Sequence, residues 1–343
     1  AVQSVFFYLP FALLYLTVVA WWPKARALAI LSATTIGLAV PIAILALGQY
    51  FTRDIFWNTT LQQANIYSQF YRVNAVFFDP NILGRYLVLA MLGAIAIAWV
   101  TQRTRLVAVL WFATAILGAG LVVTFSRSSA LMLLVGLFLL SWRAFGPKRT
   151  SVVAAVGVGL ALVLALGTSQ SVRDAATSTD RLEQVSEGRF GLVRGGLTIW
   201  KEEPVVGAGL GGFEPRFEET LTPTEQRRIR VVVSHNAPVT VLSEQGVVGF
   251  VLLLVLIGSA VTAMTRGSWR TGGNDSWAIW TLQAILAGIF VHALLYSALF
   301  EDPATWVLTA SALAIAAHAK AAVPAAEPAR EEPRGLAPSP GTT

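Results

Sequence analysis

The 343-residue chain has no cysteine, which excludes disulfides and thiolate metal sites from the start. It has only three histidines, His235, His292 and His318, and no two of them stand at the HExxH spacing of a zinc hydrolase. Charge is scarce, at 13% of residues, where an ordinary soluble domain carries about 25%. Strand-like alternation is missing from the apolar stretches, which argues against a barrel. What is present is apolar: 55% of residues are hydrophobic and the mean hydropathy is +0.64. Such a chain falls among integral membrane proteins. In hydrocarbon its apolar runs must satisfy their own backbone groups, and so must be helices. The formal charge of +6 does not point to nucleic acid. Much of it sits in short connections, where basic residues orient a chain in the bilayer.

Apolar runs occur at about 4–22, 26–47, 82–100, 106–125, 128–143, 151–168, 237–264, 277–299 and 304–319. A span takes roughly 20 residues, so the expectation is an all-α, polytopic bundle of about nine transmembrane helices. Lys24 and Arg26, Arg103 and Arg105, Arg143 with Lys148 and Arg149, Arg266 and Arg270, and Lys320 all fall in alternate connections. One orientation then puts every short basic connection in the cytoplasm. It places the C-terminus inside, Ala1 outside, and two long segments, about 48–81 and 169–236, on the extracytoplasmic face. Residues 1–320 form one membrane domain. The stretch 321–343, rich in Pro, Ala and Glu, reads as a disordered cytoplasmic tail. An external N-terminus without a leader is awkward to insert, so the expectation is a chain that lacks an odd number of N-terminal helices.

The 169–236 segment is rich in arginine and carries a single lysine, Lys201. Guanidinium forks bind phosphate oxygens bidentately and stay charged in apolar surroundings; the bland alternative is a solvated loop with weak surface pairs. From Arg189 to Glu203, Phe190, Val193, Leu197 and Trp200 recur at helical spacing, and Pro204 ends the helix. This amphipathic helix suits the membrane surface, with Trp200 in the interfacial belt. Gly207, Gly209, Gly211 and Gly212 look like a dinucleotide fingerprint, but they follow a helix and a proline, not a strand. A tight turn that brings backbone close to another element or to a phosphate fits better.

Ser234-His235-Asn236-Ala237-Pro238 opens the seventh span. Asn236 suits an N-cap and Pro238 the first turn. His235 then lies beside the positive end of a helix, which favours a neutral imidazole able to accept a proton; an interfacial histidine bonded to backbone is the other reading. Gly246 and Gly249 share a helix face and permit close helix packing. Glu244, within the same helix, needs a partner such as a buried arginine, or serves in catalysis. Arg127, after Ser126 at the outer end of a span, either snorkels to the headgroups or points inward toward a pyrophosphate. Arg85 poses the same question.

Together these residues resemble the O-antigen ligase/polymerase family of lipid-linked glycan ligases, polymerases and protein O-oligosaccharyltransferases. The most specific match is His235-Asn236, nine residues, Gly246, two residues, Gly249, which is similar to the family's His-loop pattern. Gly188-Arg189 through Pro204 to Gly207-x-Gly209-x-Gly211-Gly212-Phe213 resembles the block before it. Asp79-Pro80-Asn81 and Ser126-Arg127 resemble two earlier blocks. The family usually has about twelve helices, which fits a chain truncated at its N-terminus. The resemblance implies a membrane glycosyltransferase of the bacterial inner membrane, acting on its extracytoplasmic face. The donor is a glycan on undecaprenyl pyrophosphate, and the acceptor a hydroxyl on a glycan, a lipid-linked glycan or a protein. Carried over, Arg127 and Arg189 hold the pyrophosphate, with Arg194 a lesser candidate, and His235 orients or deprotonates the acceptor. The catalytic pair is thus His235 and Arg189. No metal and no cofactor are implied, and the outer loop has no DxD pair. The alternative is a transporter for small solutes or bicarbonate, which would place its charged site near the midplane of broken helices; a membrane scaffold for wall assembly is a third reading.

Overall fold

The computed structural model describes residues 2–21, 24–68, 70–152, 154–155, 189–221, 234–270, 273–296 and 299–321. Among these residues the regular structure is entirely helical. In chain order the helices are α1 (Val2–Trp21), α2 (Lys24–Thr52), α3 (Thr59–Tyr67), α4 (Pro80–Val100), α5 (Thr104–Thr124), α6 (Arg127–Phe145), α7 (Arg189–Glu202), α8 (Phe213–Glu219), α9 (Ala237–Arg270), α10 (Gly273–Ala293) and α11 (Pro303–Ala321). Among the described residues six stretches are long and apolar enough to cross a membrane: Ile30–Thr52, Pro80–Val100, Thr104–Thr124, Arg127–Phe145, Ala237–Arg270 and Gly273–Ala293. Leu9–Ala20 and Pro303–Ala317 are shorter apolar helices. Eight of the nine expected runs therefore fall in helices of a polytopic membrane bundle. Most of the ninth, 151–168, lies outside the described residues, as do residues 156–188 and 222–233 around the large loop and the tail from 322 onward.

Lipid gives no hydrophobic drive for one helix to seek another, so close packing must come from small residues and polar ties. α4 sits at the centre, with Leu83, Leu87 and Leu92 fully buried. Gly120 of α5 lies against Ala43 of α2, and Gly136 of α6 takes the Leu92 side chain of α4. Conversely, Val251, Leu252, Val255 and Leu256 of α9 stay exposed, as a lipid-facing surface requires.

The direction of the helices fixes which ends meet. Gly288 of α10 faces Met132 of α6, and the Trp280 indole donates to the Leu139 carbonyl at 2.8 Å further along. α6 and α10 are thus antiparallel, with the start of α6 beside the end of α10. The amide of Asn236 donates to Leu294 O at 2.9 Å, bringing the start of α9 to that same end. Arg72 donates to Thr124 O at 3.1 Å, which adds the segment between α2 and α4. The polar connections around 53–79, 125–126, 234–236 and 294–302 therefore gather at one end of the bundle. At the other end the Arg143 guanidinium covers the Trp277 ring at 5.0 Å, a cation–π contact.

Candidate functional site

The site begins with three short polar motifs at the gathered end. Asp79 caps α4 by accepting from Asn81 N at 2.6 Å, with Pro80 at the first helical position. Phe125 turns left-handed (φ 50°) to reverse the chain between α5 and α6, and Ser126 caps α6 by accepting from Ser129 N. One side chain joins these motifs. Asn81 Oδ1 accepts from Ser126 Oγ at 2.8 Å and from Arg72 Nη2 at 3.2 Å. Gly84 leaves room for Ser126 and Ser129 to approach α4. Arg127, the first residue of α6, is left on the exposed side of this buried cluster. Arg85 takes neither course open to it from the sequence. It is buried and paired with Asp302, Nε to Oδ2 at 2.9 Å, so removal of either partner would strand a buried charge. Nearby, Arg53 stacks over the rings of Tyr50 and Tyr71 at 4.6 and 4.8 Å. Burial, and then the Asp54 carboxylate, push the Tyr71 hydroxyl above its ordinary range, against the opposing pull of Arg53.

The turn that carries His235 is built as the sequence suggests and then over-determined. Asn236 Oδ1 accepts from Val239 N at 3.0 Å, the N-cap bond of α9. Ser234, wholly buried, bonds to Asn236 O at 2.8 Å and to Thr240 Oγ1 at 2.7 Å. Held between them, His235 adopts φ 53°. A non-glycine residue there carries roughly 1–3 kcal/mol of strain and persists only where its surroundings impose it. The His235 imidazole lies 5.9 Å, centroid to centroid, from the Tyr296 ring, and Tyr296 lies 5.6 Å from the buried His292.

α7 packs on this turn through its smallest residues. Gly196 lies against Val239 and Ser234, Gly195 against the Phe217 ring, and Ile199 is buried. Phe213 and Phe217 stack at 5.5 Å beneath it. The helix expected over 189–203 is present, and the face it packs on protein is its glycine face, not the apolar stripe expected to meet the membrane. Leu197 is exposed, and Trp200 donates to Pro204 O at 3.2 Å. Protein and lipid are both apolar neighbours, so apolar spacing alone does not say which face meets protein, and the glycines decide it. Arg189 is the first residue of α7; its side chain lies outside the described residues. Arg194 is exposed.

After α7 the chain turns at Pro204 and clasps α9. α9 is interrupted at Gly246, where φ is 63° and ψ −163°. Its ladder would have paired Ser243 O with Val247 N and Glu244 O with Val248 N. Instead Ser243 O and Glu244 O accept from Ala208 N and Gly209 N at 2.9 and 2.8 Å, while Val247 N and Val248 N donate to Pro204 O and Val205 O at 2.9 and 3.2 Å. The glycine turn thus supplies a partner for each group the break releases. Gly207 permits the contact, since a Cβ there would meet Glu244 and lie 2.5 Å from Gln245 N. The tight turn expected at Gly207–Gly212 does approach another element. The role expected for Gly246 needs correction: it breaks the helix for a loop instead of packing against a helix. Glu244 is met by backbone instead of by an arginine: its carboxylate accepts from the amides of Phe213, at 3.3 Å, and Gly211.

The structure therefore brings α7 and the His235 turn into contact and sets Arg127 at the same end of the bundle. Sequence reasoning passed over Tyr296 and His292, which look like the close of an apolar run; the signal was the polar break at Glu301-Asp302 just beyond. Among the described residues no group of three His, Asp or Glu side chains converges as a metal site.

Comparison with known proteins places these elements. No curated protein matches the chain. Residues 112–254 match the family model described as O-Antigen ligase. The match takes in Ser126-Arg127, all of α7 with Arg189 and Arg194, the glycine clasp, His235-Asn236 and the Gly246 break. It leaves Asp79-Pro80-Asn81 and Tyr296 outside. The chain is a multi-pass membrane protein that carries an O-antigen ligase domain over residues 112–254.

Proposed function

We propose that the protein transfers a glycan from undecaprenyl pyrophosphate to a hydroxyl acceptor at the extracytoplasmic face of the bacterial inner membrane. The acceptor hydroxyl belongs to a glycan, a lipid-linked glycan or a protein. The observation that carries the reading is the contact between the strained His235 turn and the helix that Arg189 opens, at the end of the bundle where Arg127 also lies. In the proposed reaction the acceptor oxygen attacks the anomeric carbon and the bond from that carbon to the pyrophosphate oxygen breaks. His235 takes the acceptor proton, and the pyrophosphate leaves with its charge met by Arg127 and Arg189. Arg194, exposed on α7, is a subsidiary contact.

A transporter also uses broken helices, but there the freed backbone groups hold the cargo. Here the groups freed at Gly246 are taken up by the glycine turn, and the candidate residues sit at a helix end and not at mid-depth. Both points favour a transferase.

Charge neutralisation by guanidinium needs no metal. Membranes containing the protein should move glycan from a lipid-linked donor to an acceptor in excess EDTA. Loss of transfer that Mn²⁺ or Mg²⁺ restores would overturn metal independence, and absence of transfer under all conditions would overturn the function. The face is tested separately. With no native cysteine, Gln63→Cys on α3 and Asn274→Cys at the start of α10 are unique labels at exposed positions. An impermeant thiol reagent should label Gln63→Cys alone in intact cells; labelling of Asn274→Cys alone would reverse the orientation.

A further inference from the structure

We infer that Tyr296, on the segment that leaves α10, is a positioning residue that holds the His235 imidazole toward its substrate; this rests on the reading of His235 as the group that activates the acceptor. The bonds of Ser234 and Asn236 fix the backbone of His235 at the start of α9, and they act on its main chain, not on its ring. Across the gap stands the end of α10. Asn236 reaches over to Leu294 O at 2.9 Å, which fixes the distance between the two elements. Two residues on, the Tyr296 ring meets the imidazole at 5.9 Å with an interplanar angle of 43°. The orientation of that ring is itself set from behind, because His292, with no exposed surface, presses edge-on to it at 5.6 Å and 64°. The order of contact runs from a buried residue of a spanning helix, through an aromatic plate, to a partly buried imidazole at the end of the bundle. That is the arrangement expected of a support for a reactive group, since a displacement of about 1 Å in a reacting group costs on the order of 10²-fold in rate.

None of these supporting residues lies in the segment matched to the ligase family, which ends at residue 254. The second wall of the site is therefore supplied by the part of the chain beyond it. Aromatic plates of this kind act through shape and ring polarity, so the ring is the required feature and the hydroxyl is not.

The test compares Tyr296→Leu with Tyr296→Phe, each alone and in a His235→Ala background, measuring turnover and the KM for a lipid-linked donor in the same membranes. Tyr296→Leu is expected to lower turnover about 10- to 100-fold with donor KM little changed, by loss of orientation, while Tyr296→Phe retains most of the wild-type rate. In the His235→Ala background, where there is no imidazole to position, Tyr296→Leu should add nothing. Wild-type turnover in Tyr296→Leu would overturn the inference. So would an equal fall in Tyr296→Phe, which would make the hydroxyl the active feature, or a full further loss in the His235→Ala background, which would mean general damage. If Tyr296→Leu does not accumulate, Tyr296→Met makes the same comparison with Phe. Wild-type turnover in His235→Ala would remove the proposed function and the inference together, whereas an inactive His235→Ala beside an unimpaired Tyr296→Leu would remove the inference alone.

Discussion

Replacing His235 by alanine is expected to lower turnover by about 10²–10⁴-fold, the usual worth of a positioned proton acceptor, while binding of the lipid-linked donor survives. The split follows from the architecture. His235 belongs to the cap turn of α9, and the arginines proposed to hold the pyrophosphate belong to α6 and α7. Alanine at 235 keeps the backbone bonds of Ser234 and Asn236 and, lacking an imidazole, removes only the acceptor step. Arg189→Ala should fail in another way. Developing phosphate charge then lacks a donor in a site partly shielded from water, where one lost stabilising contact costs roughly 3–4 kcal/mol. Donor affinity falls along with turnover. Arg189→Lys should recover only part of the loss, because an ammonium cannot make the bidentate fork. Turnover and donor affinity for the three variants in matched membranes decide the matter. Wild-type turnover in His235→Ala would end the base assignment, and unchanged affinity and turnover in Arg189→Ala would return Arg189 to the surface.

What the sequence discloses about this molecule is what is encoded locally. The spans are legible because a helix in lipid needs about twenty consecutive apolar residues, and few other constraints produce them. The cap at Asn236 is legible because a capping side chain bonds within its own turn. Pairings across the fold are not. Arg85 is recognisable as a charge in need of a partner, but nothing near it names Asp302. Glu244 asks for a donor, and the donors are backbone amides, which every residue carries. α7 shows a further limit: with lipid on one side and protein on the other, both faces accept apolar residues, and the glycines at 195 and 196 mark the protein side more reliably than the leucine at 197. Tyr296 lies deepest in this blind spot, since its meaning comes wholly from the histidine across from it.

Gly246→Ala should cost more stability than any other single methyl group added to α9. In a run of apolar helix a glycine suggests close packing, and that is how its spacing from Gly249 reads. Its actual backbone, φ 63° and ψ −163°, lies in a region essentially restricted to glycine, at a cost of about 1–3 kcal/mol for other residues. An added Cβ would also strike the Val205 carbonyl and come within 2.6 Å of Val206 N. Both are backbone, with no rotamer to yield. The alternative open to the chain is to let α9 close into an ordinary helix across the break, which expels the Pro204–Gly209 turn and gives up four hydrogen bonds between that turn and α9, each worth about 1 kcal/mol net. Either course loosens α7 from the His235 turn, so turnover should fall with stability, although Gly246 carries no functional group. Gly258, on the same helix with open space around its Cα, is the control: alanine there should be neutral or stabilise by up to about 1 kcal/mol through helix propensity. Thermal unfolding in detergent and protease sensitivity of the 204–209 turn measure the difference. A Gly246→Ala protein as stable, as resistant and as active as Gly258→Ala would show that α7 and the His235 turn stay together without the clasp.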